Sequence, residues 1–232
     1  MRKIFFLYII LFHSIPSAQS NVSKPIELLK KLHSNSDWRV IDDRDGMLLS
    51  TKIFDDLKLS AFMVQKKISI PSNIIKKIIM DVDNYDVFFN STKSFESIEI
   101  NRNEKWKDCY NFLPVALPFI KDREYYFRIH PFGIYENDNL SIVHWYLIKE
   151  NELRKNKFRD TKRDAVYLDY GAGLWMSEMV SENVSNLSYR LYMDPGGSLP
   201  DFAVDIINKV SIFNIFQDVL LEAERVVKIS LR

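Results

Sequence analysis

Cysteine is almost missing from this 232-residue chain. Cys109 stands alone, so no disulfide can form within the chain, and the fold must rest on its core. A lone thiol leaves a cysteine nucleophile conceivable, but a buried, unreactive cysteine is the commoner state. Histidine is scarce as well: there are four, with no His-x-x-x-His spacing and no cysteine pair to complete a metal ligand set. Glycine occurs six times, and Gly171-Ala172-Gly173 is too short to cradle a phosphate. Net charge is nearly absent, with 32 basic against 31 acidic side chains. That balance lacks the electrostatic footprint of a nucleic-acid binder or of a partner to one. Internal repeats and low-complexity linkers are also missing. No metal and no cofactor is implied.

The first twenty residues read as a targeting segment. Arg2 and Lys3 precede the apolar run Ile4 to Phe12, which is about half the roughly 20 residues needed to span a bilayer. Ala18 and Ser20 sit at the −3 and −1 positions of a cut before Asn21. The expectation is a signal peptide over 1–20 and one domain over 21–232, exported to a periplasm or secreted. No later run is long and apolar enough to cross a membrane. Loss of Arg2 and Lys3 leaves 30 basic residues against 31 acidic ones. A chain of this length buries about 70% of its extended surface, enough for a sizeable core. Asn21, Asn90, Asn183 and Asn186 open Asn-x-Ser/Thr sequons, which matter only in a cell that glycosylates.

The order of elements follows from periodicity. Lys24 to His33 reads as a helix with Ile26, Leu29 and Leu32 on one side, and His33 on its surface. Three strands follow, over Trp38–Asp43, Met47–Phe54 and Leu59–Ile70, with Asp45-Gly46 as a hairpin turn. Pro71 ends the third strand, and Ser72 is expected to cap a helix to Met80; Asp83 to Phe89 is a second short helix or turn. Six strands come next: Phe95–Asn101, Trp106–Leu113, Arg123–Pro131, Leu140–Lys149, Val166–Val180 and Leu187–Met193. The charged stretch Asn151 to Asp164 reads as a solvated loop. After the turn Asp194-Pro195-Gly196-Gly197 comes a long helix, with Ser198 as N-cap and Pro200 and Asp201 in its first turn. Ile206, Val210 and Phe213 form one apolar stripe on it, and Ile212, Phe216, Val219, Ala223 and Val226 a second. Antiparallel hairpins with helices at the ends are α+β, and a sheet curled around one long helix leaves room between them.

At four places the sequence resembles the START domain, the steroidogenic acute regulatory protein-related lipid-transfer module of the helix-grip superfamily. These are Trp38 with Asp45-Gly46, Pro71 through Asp81 and Tyr85, Pro118 through Phe127 (PFIKDREYYF), and Asp194 to Pro200 with the helix after it. Two departures stand out: Arg123-Glu124 replaces the family's Arg-Asp, and Phe202 takes the place of an aromatic that is often Trp. The resemblance implies a curved antiparallel sheet gripping the C-terminal helix, with an apolar tunnel between them for one lipid. Helix movement, with Asp194 to Gly197 as hinge, would admit the ligand.

Alternation selects the tunnel-facing side chains. Tyr125, Phe127 and Ile129 point one way on their strand, against Glu124, Tyr126, Arg128 and His130; Val143, Trp145 and Leu147 do so on the next, and Tyr189 and Leu191 on the last. Tyr110 and Phe112 are placed beside the tunnel, with the Tyr110 hydroxyl offered to a head group. Trp175 is tilted toward the mouth by a bulge at Gly171-Ala172-Gly173. Phe213 and Phe216 line it from the helix. Arg128 is read as solvated. The expected partner is a lipid or sterol-like small molecule, with transient contact to a membrane surface and no nucleic acid. Two other functions use the same residues. One is a cyclase/aromatase- or hydrolase-type enzyme working in the cavity, for which His144, Asp108 and Cys109 are the conceivable groups, though none shows a partner at readable spacing. The other is an interaction module with a filled core.

Overall fold

A computed structural model describes residues 23–115, 120–132, 139–152, 164–197, 199 and 201–230. The leader, Pro118, Ser198, Pro200 and most of the charged stretch 151–164 lie outside the described residues.

Helix α1 (Ser23–His33) leads into strands β1 (Arg39–Arg44), β2 (Met47–Lys52) and β3 (Ala61–Ile68). Helix α2 (Ser72–Met80), a single 3₁₀ turn and the short α3 (Tyr85–Phe88) follow. Then come β4 (Glu96–Arg102), β5 (Lys107–Leu113), β6 (Asp122–Pro131), β7 (Leu140–Ile148), β8 (Ala165–Tyr167), β9 (Gly171–Ser181) and β10 (Val184–Met193). Helix α4 (Asp201–Ser230) ends the described chain. The expected single strand Val166–Val180 is in fact two. The backbone leaves the ladder at 168–170, and β8 pairs in parallel with β6 while β9 pairs antiparallel with β7 and β10. Among the described residues, ten strands form one sheet in the order β1-β2-β3-β10-β9-β7-β6-β5-β4, with β8 beside β6.

Local chemistry explains the joints. Asp45 and Gly46 both have positive φ, as the tight β1–β2 hairpin requires. Ser72 does not cap α2: Pro71 holds the N-cap position, no side chain bonds there, and the Pro71 carbonyl accepts from Ile74 N. Gly196 and Gly197 also have positive φ, and the Asp194 carboxylate accepts from Gly196 N at 2.9 Å. Arg123 Nε donates to the Pro195 carbonyl at 2.8 Å. The strand motif around Arg123 and the turn before α4, far apart in sequence, are thus joined by one bond.

The two faces of the sheet differ. The inner face carries Phe62, Val64, Trp145, Trp175, Tyr189 and Leu191 in one core cluster with Ile212, Phe216 and Val219 of α4. The outer face is covered by α1 through Leu28, Leu29 and Leu32, packed on Leu174, Met176 and Tyr192. Leu29 and Leu32 are buried as the sequence reading expects, but Ile26 is exposed and Leu28 completes the buried stripe of α1 in its place. Likewise Val210 of α4 is exposed; the stripe that packs is Ile212, Phe216, Val219 and Ala223.

Helix α1 is fastened by polar groups. Arg190 of β10 donates to the carbonyls of Leu32 and His33 at 3.0 and 3.1 Å and to Asn35 at 2.7 Å, placing a cation at the helix C-terminus. His33 is no free surface histidine. Its Nε2 lies 2.7 Å from Nε2 of His144 on β7, with His130 edge-on to His144 and Phe132 against both His33 and His144. Burial holds all three imidazoles below their ordinary pKa, His144 down to about 3; Arg190 adds to the effect at His33, Arg128 at His130, and the other two imidazoles at His144. A depressed histidine pKa stabilises the fold fully above the unfolded value of 6.5, and that stabilisation is lost as pH falls toward 3. The urea midpoint should therefore fall steadily from pH 7 to pH 4, and His144→Phe should flatten that slope. A slope unchanged by the substitution would contradict this assignment.

Candidate functional site

Between the inner face and α4 lies a cavity of about 110 Å³. Its floor is built by register. Tyr189 is paired across β10 and β9 with Trp175, Trp175 across β9 and β7 with Val143, and Ile129 across β6 and β7 with Trp145. Side-chain alternation then aims Tyr125, Phe127 and Ile129 of β6, Trp145 of β7, Trp175 of β9, and Tyr189 and Leu191 of β10 at one space, and all seven line it. Tyr189 and Trp175 stack at 4.1 Å and 11°, and Trp175 lies parallel to Phe216 of α4 at 5.8 Å. The far walls come from Ile79 and Tyr85, from Phe89 and Phe95, and from the cavity face of α4.

The other expected lining residues sit elsewhere. Tyr110 and Phe112 face the opposite side of the sheet, in a separate cluster with Tyr126 and Ile148. The period-two rule was applied to β5 one residue out of step, since Asn111 and Leu113 are the ones that line the cavity. The Tyr110 hydroxyl is not offered to a head group; it donates to Glu124 Oε2 at 2.9 Å, and both residues are buried. Leu147, Phe213 and Phe216 belong to the core cluster around the cavity but do not border it. Phe213 instead lies under the Arg44 guanidinium, 4.7 Å from its ring centre.

Trp175 reaches the cavity without a bulge, because pairing of β9 with β10 runs unbroken through Gly171 to Gly173 and pairing with β7 is regular as far as Ala172. Gly173 serves a different need. A Cβ there would lie 2.6 Å from the Trp145 ring and 2.7 Å from the Arg190 carbonyl, so its absence lets the indole lie flat on the sheet.

Polar groups at the cavity are few and mostly engaged. Asn111 accepts from Ser97 Oγ at 2.8 Å and donates to the Tyr125 hydroxyl at 3.1 Å. Tyr85 donates to the Ile79 carbonyl, and burial pushes its pKa well up, as it does for Tyr125 and Tyr189. Arg123 donates to the Lys121 and Pro195 carbonyls. Asp218 of α4 accepts from Ser91 N at 3.1 Å and Ser91 Oγ at 2.9 Å, and burial raises its pKa against the pull of those bonds. Among the described residues no nucleophile lies here with a base beside it. Cys109 is fully buried, its thiol pKa pushed up by desolvation, so it is inert. Asp108 pairs with Arg128 on the outer face at 2.7 Å; Arg128 points outward as expected and stays partly exposed, but it is held by that pair and lies 3.9 Å over Trp106. His144 is on the outer face as well, with His33. Among the described residues no group of three donors could hold a metal ion. Of the cavity's polar residues, Asn111, Asn208 and Asp218 were missed in the sequence. A polar residue on an apolar period was their only signal.

No protein-family model and no curated protein matches the sequence. Solved structures do. A STAR-related lipid transfer protein from Xanthomonas axonopodis is 13% identical with a TM-score of 0.65, over 81% of this chain and 98% of that one. Human StAR-related lipid transfer protein 5 is 13% identical with a TM-score of 0.65, over 86% and 92%. The Zhui aromatase/cyclase from Streptomyces sp. R1128 is 12% identical with a TM-score of 0.51, over 72% and 94%. The fold is START-like: an α+β helix grip, with a large antiparallel sheet and a C-terminal helix.

Gly173→Ala should destabilise the protein by about 1–3 kcal/mol, because the Arg190 backbone cannot yield to the added methyl group. Urea denaturation measures this, and a loss under about 0.5 kcal/mol would contradict the packing described.

Proposed function

We propose that this chain binds a hydrophobic ligand, a lipid, in the cavity between the sheet and α4, and carries it without changing it. The observation that supports this is the cavity itself: a buried space with an aromatic floor, lined by seven inward side chains that leave it unfilled. Each CH₂ moved there from water is worth about 0.8 kcal/mol, so an acyl chain or sterol needs few polar contacts. The START-like fold adds two similar structures whose names describe lipid transfer. An enzyme acting in the same cavity gains little support, because none of the described hydroxyls bordering it has a histidine or free carboxylate beside it to act as base. The filled-core reading is opposed by the space.

Size decides the mechanism. Ligand pockets usually hold about 300–1,000 Å³, and this one holds about 110 Å³. The structure is then the closed form, and α4 must move outward to admit a full lipid. The turn Asp194 to Gly197, with two glycines at positive φ, is the proposed hinge. Export by the leader Met1–Ser20 would place the carrier in a periplasm or outside the cell, with transient contact to a membrane where ligand is exchanged.

A fluorescent acyl-chain probe should bind the chain Asn21–Arg232 at one site. Leu191→Trp, which fills the floor, should reduce uptake at least tenfold with the circular dichroism spectrum retained. Uptake unchanged by that substitution would place the ligand elsewhere.

A further inference from the structure

The sheet side of the cavity is apolar, but the face of α4 turned toward it is not. Asn208, Ser211, Asn214 and Asp218 recur at three- and four-residue intervals along the helix, and all four line the cavity. Such a stripe is costly on a helix that covers a hydrophobic floor, unless its polar groups are used. Asp218 is used, by Ser91. Asn208 is not. It is only 6% exposed, and its Nδ2 is buried with no hydrogen-bond partner among the described residues. A buried amide donor left unpaired costs more than its bond would return when made, and native structures rarely leave one without a reason.

The charges at the cavity narrow what could pair with it. Among the described lining residues Arg123 is the one cation and Asp218 the one anion. Arg123 already donates through Nε to Pro195 and through Nη1 to Lys121, holding the turn before α4. The two charges cancel, so an anionic head group would be buried here without a counter-charge of its own. A neutral oxygen meets no such penalty. If it is a hydroxyl, its own proton has an acceptor one turn further along the same face, at Ser211.

We infer that the ligand is a neutral, oxygenated amphiphile, of the fatty-alcohol or sterol kind, whose oxygen accepts a hydrogen bond from Asn208 Nδ2. This rests on the hydrophobic-ligand reading above and assigns the polar contact within it. Asn208 is then the residue that separates hydroxyl-bearing ligands from plain hydrocarbon and from phosphate-bearing lipids.

Three probes that share one chain length test this: 1-decanol, decane and decyl phosphate, each displacing Nile red from the chain Asn21–Arg232. Wild type should bind decanol about tenfold more tightly than decane, the size of one buried hydrogen bond, and decyl phosphate most weakly. Asn208→Leu should bring decanol and decane within about twofold of each other while decane still binds, which also shows that the variant folds. Asn208→Ala should lose the same preference if the leucine variant is unstable. A decanol preference that survives both substitutions, equal binding of decanol and decane by wild type, or tightest binding of decyl phosphate would overturn the inference alone. Failure of all three probes and of Nile red to bind would overturn the hydrophobic-ligand reading along with it.

Discussion

The contact on which this structure depends is the parallel stack of Tyr189, Trp175 and Phe216, which holds α4 to the inner face of the sheet. Burying one such side chain is worth about 1.5–3 kcal/mol, and an aromatic pair adds about 0.5–1.5 kcal/mol. The stack sits where β9 and β10 run side by side in the middle of the strand order. Helix α4 cannot cover a sheet this wide. It meets the floor along one line, α2 and α3 pack beside it, and the gap left between them is the cavity. Site and fold therefore share one cause: a face of many strands covered by helices that do not close over all of it.

The polar interactions are distributed to suit that arrangement. On the outer face they are numerous: Arg190 at the end of α1, the His33–His144 pair, the Asp108–Arg128 pair against Trp106, and Tyr110 with Glu124. These tie strands to one another and to α1. Helix α4 is held differently, by apolar contact along its middle and a few polar ties, Arg44 over Phe213 and Ser91 to Asp218. Apolar contact has no direction, so a helix held this way can shift by small amounts without breaking a bond. A firmly bonded sheet with a helix less firmly fixed on it suits a cavity that must widen to fill.

Much of this was legible in the sequence, for reasons that can be named. Alternation selected Tyr125, Phe127 and Ile129 on β6 because Glu124, Arg128 and His130 mark the opposite parity as polar, and Trp145, Tyr189 and Leu191 because His144 and Arg190 do so on β7 and β10. On β5 both parities look buried, with Cys109, Asn111 and Leu113 against Tyr110 and Phe112. Local pattern could not choose between them, and the pairing of Asn111 with Tyr125 decides it. Gly173 looked like a bulge because a strand glycine has two common causes, and only the position of the Trp145 ring separates them. The histidine pair was out of reach, since His33 and His144 lie 111 residues apart and meet only when α1 docks. The polar stripe of α4 was hidden by its apolar neighbours: Ile212 and Phe216 mark a core helix, and nothing local says that Asn208 and Asp218 face the sheet side with them.

The claim at the centre of this account is that the gap beside α4 is a ligand site and not a packing defect. Native mass spectrometry of the chain Asn21–Arg232, followed by solvent extraction of anything bound, tests it most directly. The account predicts a co-purified hydrophobic molecule, or one taken up from a lipid and sterol panel, at one per chain. A chain that stays bare through both, with its fold intact, would contradict it.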